Sequence, residues 1–157
     1  MTPSSLATFA TDENDELFPE ALSYAELIET VIASLDQSDS AMVNHADSGT
    51  IWKFQYGTIE VLVQLTGETD DDLLTIWSPV LMLPAKDELG LYRKLMAMNW
   101  SGTFETCFGL ADQQVIVLLQ RTVADLSPGE ISRAMTLVAT IADEQDEPLQ
   151  AEFGSAS

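Results

Sequence analysis

Ile51-Trp52-Lys53-Phe54-Gln55-Tyr56-Gly57-Thr58-Ile59-Glu60-Val61-Leu62-Val63-Gln64-Leu65 contains two alternating runs on either side of a glycine. Trp52, Phe54 and Tyr56 recur at every second position, and so do Ile59, Val61, Val63 and Leu65. A period of two, rich in β-branched and aromatic residues, predicts half-buried strands. Tyr56-Gly57-Thr58 is short enough for a tight turn, so the two runs form a hairpin. This hairpin sets the fold class, because its alternation demands an antiparallel sheet with one covered face.

On its C-terminal side, Thr66 to Asp72 reads as a loop and Leu73 to Leu83 as a third strand. Pro79 lacks a ladder donor, so that strand is expected at an edge or bulged there. From Asp87 to Asn99 the period becomes helical, with Leu91, Leu95 and Met98 on one side and Asn99 at the end. Ser101-Gly102 then turns the chain. Two further strands are expected at Thr103 to Leu110 and Gln114 to Gln120, joined by Ala111-Asp112-Gln113. Val115 to Leu119 is apolar on both faces, so it is central or meets another chain.

Each end of this set carries a helix with a written start. Ser127 can cap, Pro128 suits the first helical position, Glu130 completes a capping box and Leu126 can staple. Ile131, Met135, Val138, Ala139 and Ala142 form its expected buried face. Ser23, Glu26 and the Leu22–Leu27 pair repeat those devices, followed by a stripe of Leu27, Ile28, Val31, Ile32 and Leu35. The order is α-β-β-β-α-β-β-α, an α+β fold with an antiparallel sheet packed against helices. The domain is expected over residues 22–147, after a mobile acidic lead-in at 1–21 and before a solvated tail at 148–157.

Charge narrows the function. Six Lys/Arg face 26 Asp/Glu, for a net charge of −20. Such a field repels phosphate backbones and anionic lipid heads, which argues against nucleic acid and membrane partners. Met1 to Leu22 lacks the features of a signal peptide, and the longest aliphatic run, Val115 to Leu119, is too short to span a membrane. Cys107 stands alone, so no intrachain disulfide or cysteine-based zinc site can form. The expected location is cytoplasmic.

No catalytic constellation is legible. His45 is the single histidine and lies in the polar stretch Asn44-His45-Ala46-Asp47, as a solvated side chain would. Cys107 sits in a predicted strand, where a small buried hydrophobe is the ordinary role, so a Cys107–His45 dyad has no support. Phosphate-binding glycine motifs and the nucleophile elbow are missing. Asp12-Glu13-Asn14-Asp15-Glu16 and Asp70-Asp71-Asp72 concentrate acids, but neither supplies a full coordination shell. No enzyme activity, metal or cofactor is expected.

Apolar surplus remains. Trp52, Phe54, Tyr56, Trp77 and Trp100 exceed what generic strands need, and Leu62 interrupts the polar face formed by Glu60 and Gln64. Core packing accounts for such residues in general, but large apolar groups on both sheet faces also mark interfaces. These six are the candidate partner-binding residues. A small-ligand sensor or enzyme with an aromatic-lined pocket is the alternative.

From Leu91-Tyr92-Arg93-Lys94-Leu95-Met96-Ala97-Met98-Asn99 onward the chain resembles the YbjN domain, a family of bacterial sensory transduction regulators. Phe104, Phe108-Gly109-Leu110, Val115-Ile116-Val117-Leu118, Asp125-Leu126-Ser127 and the helix through Ala142-Asp143 carry the same likeness, and the hairpin Trp52 to Leu65 fits its first half. The resemblance covers residues 22–150. It implies a fold like that of type III secretion chaperones, a homodimer, a protein client or regulatory partner, and neither enzyme activity nor cofactor.

Overall fold

The computed structural model describes residues 22–155. They form α1 (Tyr24–Leu35), β1 (Met42–Ala46), β2 (Gly49–Tyr56), β3 (Ile59–Leu65), β4 (Leu73–Met82), α2 (Glu88–Ser101), β5 (Cys107–Ala111), β6 (Gln114–Thr122) and α3 (Pro128–Phe153). All six strands join one antiparallel sheet in the order β1-β2-β3-β4-β6-β5. The α+β class and the expected succession of elements hold, with one strand more than the sequence indicated. The extra strand is β1, whose five residues are all exposed. It buries nothing, so it leaves no alternation to read.

One face of the sheet carries the core. The rows Trp52–Val63–Ile76 and Phe54–Val61 lie on that face, as cross-strand partners must. These residues are buried together with Ile28 and Ile32 of α1 and with Ile131, Met135, Val138, Ala139 and Ala142 of α3. The expected buried stripe of α3 is therefore the observed one. Tyr56 and Ile59 flank the two-residue turn as the spacing predicts. Gly57 has φ of +57°, and a Cβ there would run into the Asp143 carboxylate of α3. Asp143 Oδ1 also accepts from the Thr58 N–H at 3.1 Å, so the hairpin tip is tied to the helix.

The start of α3 forms as written, and that of α1 keeps its serine cap without the reciprocal Glu26 bond. Glu130 N–H donates to Ser127 Oγ at 3.1 Å and Ser127 N–H to Glu130 Oε1 at 3.2 Å, closing the capping box. In α1, Ser23 Oγ accepts from Glu26 N–H at 3.1 Å, while the Tyr24 N–H donates to Glu68 Oε1 in the β3–β4 loop at 2.7 Å. Leu22 stays 45% exposed, so the expected staple onto Leu27 buries little.

The strand with Pro79 takes the second of its two expected forms, a bulge, and three other expectations need revision. Strand β4 is central, between β3 and β6, and its register shifts between Pro79 and Leu81. The bulge absorbs the missing proline donor, which lets the strand lie inside the sheet. Helix α2 runs two residues past Asn99, ending at the cap residue Gly102. Residues 103–106 form a turn, so β5 starts only at Cys107. Thr103 O accepts from the N–H and the hydroxyl of Thr106, at 2.9 and 2.7 Å.

The third concerns residues 148–157. Helix α3 continues through Pro148 to Phe153, and Leu149 and Phe153 are buried, so residues 148–153 are not a solvated tail. The Lys86 N–H donates to Phe153 O at 2.8 Å, and Gln150 Nε2 donates to Val80 O at 3.2 Å. Contacts with distant parts of the chain hold this segment in place. The expected lead-in, residues 1–21, lies outside the described residues.

Candidate protein-binding surfaces

The sheet separates the six aromatic and aliphatic candidates into three groups. Trp52 and Phe54 are 2% and 1% exposed and belong to the core. Tyr56 is half-buried against the same core. Leu62 and Trp77 are direct cross-strand partners on the opposite face, and the row continues through Leu118 to Cys107. All of Leu62, Trp77 and Leu118 are half-buried. Trp100 is alone among the six in facing solvent freely, at 91% exposure on α2.

Helix α2 has two apolar sides. Leu91 and Leu95 face inward and are buried, with Met98 packed partly beside them. Leu89, Met96 and Trp100 are 64%, 70% and 91% exposed. Helical spacing places Leu89, Arg93, Met96 and Trp100 on one stripe, opposite the buried side. Phe104 follows at 79% exposure with φ of +53°, a left-handed conformation that a bulky residue adopts only at a cost. Sequence reasoning singled out Trp100 as a candidate but not the likewise exposed apolar side chains Leu89, Met96 and Phe104. Periodicity alone does not say which of two apolar helix sides faces the core.

Ion pairing leaves this helix distinct. Lys53–Glu60, Lys94–Glu152, Arg121–Glu130 and Arg133–Glu105 are the salt bridges among the described residues. Arg93 takes part in none of them and lies within the exposed stripe. On a chain of net charge −20, that is one local relief from a repulsive field.

A second feature lies at the other end of the sheet. Between α1 and the β1 edge runs an open groove of about 420 Å3. Its floor includes Ile32 and Trp52, and its rim includes Glu29, Asp36 and Asp39. The Trp52 indole N–H donates to Glu29 Oε2 at 3.0 Å, which fixes the ring under the helix. Partial burial pulls the Asp36 carboxyl upward, but hydrogen bonds from Ser40, Ser38 and Ala41 outweigh it and hold the group below its ordinary value. Asp36 thus keeps its negative charge at neutral pH, on a rim made of three acidic side chains.

The residues weighed for chemistry are placed apart from one another. His45 is exposed on β1, within 3.2 Å of Thr50 Oγ1. Cys107 lies on β5, across four intervening strands, and is exposed there rather than the small buried hydrophobe expected of a strand; desolvation by its neighbours pushes its thiol above the ordinary value. In the β3–β4 loop, Asp72 is occupied by local bonds from the hydroxyls of Thr69 and Thr66, at 2.7 and 2.8 Å. No three His, Cys, Asp or Glu side chains are grouped to hold a metal among the described residues. Asp12 to Glu16 lies outside them.

The family model described as "Putative bacterial sensory transduction regulator", YbjN, matches residues 24–151. The chain belongs to the YbjN family. Among curated proteins none matches it. Several solved structures share the fold, two of them as follows. A chain of the ExsC–ExsE complex superposes with a TM-score of 0.57 at 16% identity, covering 77% of this chain and 89% of that one. A chain of the HopA1–SchA chaperone–effector complex gives 0.55 at 12% identity, covering 79% and 93%. At such identities the likeness is one of fold, and it is the chaperone-like fold expected from the sequence. For this YbjN chain, the match includes α2 and the hairpin but supplies no site residues. No described helix is long and apolar enough to cross a membrane.

Proposed function

We propose that this YbjN chain is a non-enzymatic, cytoplasmic protein-binding module of regulatory or chaperone-like kind that works as a homodimer. The family and the fold support the protein-binding role; both structural neighbours are described as parts of complexes between proteins. The observation that carries the dimer is the exposed stripe of α2. An antiparallel two-fold pairing of α2 with its copy sets Leu89 against Trp100 and Arg93 against Met96. The stripe is therefore self-complementary, as an isologous interface must be. Burying three large apolar side chains and Phe104 on each copy offsets the repulsion between two acidic chains. Leu62 and Trp77, half-buried on the sheet face opposite the core, are left to a client.

Sedimentation equilibrium tests this reading. The wild-type chain is expected to be a dimer at tens of micromolar, and Trp100→Glu a monomer with an unchanged circular dichroism spectrum. A wild-type monomer at high concentration, or a Trp100→Glu dimer, overturns it.

A further inference from the structure

The two edges of the sheet are treated differently. At β5, Asn99 of α2 occupies backbone groups of the edge strand: its Oδ1 accepts from Phe108 N–H at 2.7 Å and its Nδ2 donates to Phe108 O at 3.3 Å. At β1 nothing comparable is present among the described residues. Met42-Val43-Asn44-His45-Ala46 contains no lysine, carboxylate or proline, the usual guards of an exposed edge. Every residue of β1 is exposed, and Met42 and Val43 are 63% and 48% exposed. Alternate residues of an edge strand must turn N–H and C=O outward, so β1 offers an open ladder. That ladder borders the groove whose floor is Ile32 and Trp52 and whose rim is Glu29, Asp36 and Asp39.

We propose that β1 and this groove together take an extended segment of a partner protein, paired as a seventh strand and carrying alternate apolar and basic side chains. This rests on the protein-binding reading above and names the partner's chemistry. Strand addition supplies main-chain hydrogen bonds, and side chains on one face enter the groove. The charge of the occupant follows from the rim. No basic residue lines the groove, and the chain as a whole carries −20, so lysine or arginine is attracted and an acidic segment repelled. A second copy of this chain is a poorer occupant, since pairing β1 with β1 brings two anionic rims together.

The test uses the full chain and a fluorescent, end-blocked peptide of alternating valine and lysine, read by anisotropy. Binding is expected to the wild type and to Trp100→Glu alike, weakening steeply with added salt. The same peptide with glutamate in place of lysine is expected not to bind. The double variant E29Q/D39N keeps an acceptor for the Trp52 indole and should bind about tenfold more weakly, as loss of two rim charges implies. N-methylation at alternate peptide positions should abolish binding in one phase and spare it in the other, because only one set of N–H groups faces β1.

The proposal falls if the wild type does not bind the lysine peptide at millimolar concentration. Equal binding of the glutamate peptide overturns it, as does indifference to N-methylation or to E29Q/D39N. Dissociation of a wild-type dimer by the peptide also overturns it, because β1 would then be held by a second copy. A wild-type monomer that binds the lysine peptide keeps this inference and removes only the dimer.

Discussion

Asn99 and Phe108 are joined by two hydrogen bonds in opposite directions, one onto each backbone polar group of the strand residue. A side-chain amide thereby imitates a neighbouring strand, and α2 covers the edge at β5. Asn99→Ala is expected to lower stability by about 1–3 kcal/mol, since it strips partners from a buried residue's backbone. Asn99→Asp should cost at least as much, because the carboxylate retains the acceptor and faces Phe108 O without a proton. Urea denaturation measures both, and equal stability of all three proteins counters the edge-capping role.

The end of α3 is core. Leu149 is 0% exposed and Phe153 4%. Leu149→Ala should cost about 2–5 kcal/mol and Phe153→Ala about 3–5 kcal/mol by lost contacts and the cavity left behind. Deleting residues 148–157 should therefore destabilise far more than trimming a solvated tail. Thermal melts of the three variants check this.

The acid limb of stability depends on carboxylates held by hydrogen bonds. The Thr69 hydroxyl and N–H and the Thr66 hydroxyl hold Asp72 below its ordinary value, and the Ser127 hydroxyl with Arg121 does the same for Glu130. A folded pKa below the unfolded one means stability present above the unfolded pKa, about 4, and lost as pH falls through the folded value. Asp72→Asn should lower the melting temperature at pH 7 and shrink the difference from wild type below pH 4. A constant difference at all pH values excludes the linkage.

Leu62 and Val63 are neighbours with opposite fates. Leu62 lies across from Trp77 on the sheet face opposite the core, whereas Val63 is 0% exposed in the core. Leu62→Asp should keep the fold at a cost of about 1 kcal/mol, the span of strand propensities. Val63→Asp should unfold the domain, with a loss above about 4 kcal/mol from an unpaired buried charge. Circular dichroism distinguishes them.

Much of this could be read locally. Alternation from Trp52 to Leu65 specifies a hairpin because a strand turns successive side chains to opposite faces, whatever lies elsewhere. Ser127, Pro128 and Glu130 specify a helix start because all their partners lie within three residues. The candidate site was less legible. Trp52 and Trp100 look alike in sequence, yet one is buried beneath α1 and the other faces solvent.

The amino-acid sequence alone determined the antiparallel hairpin, the starts of α1 and α3, the repulsive charge and the class of fold, since each follows from spacing or composition. Tertiary structure decided that β6 lies between β4 and β5, that α3 extends to Phe153, and that, among the described residues, one edge of the sheet is covered while the other is open. Those outcomes depend on contacts such as Asn99 with Phe108, Gln150 with Val80 and Thr58 with Asp143. Such contacts join residues that local periodicity cannot connect, and their energies appear only when the chain has closed.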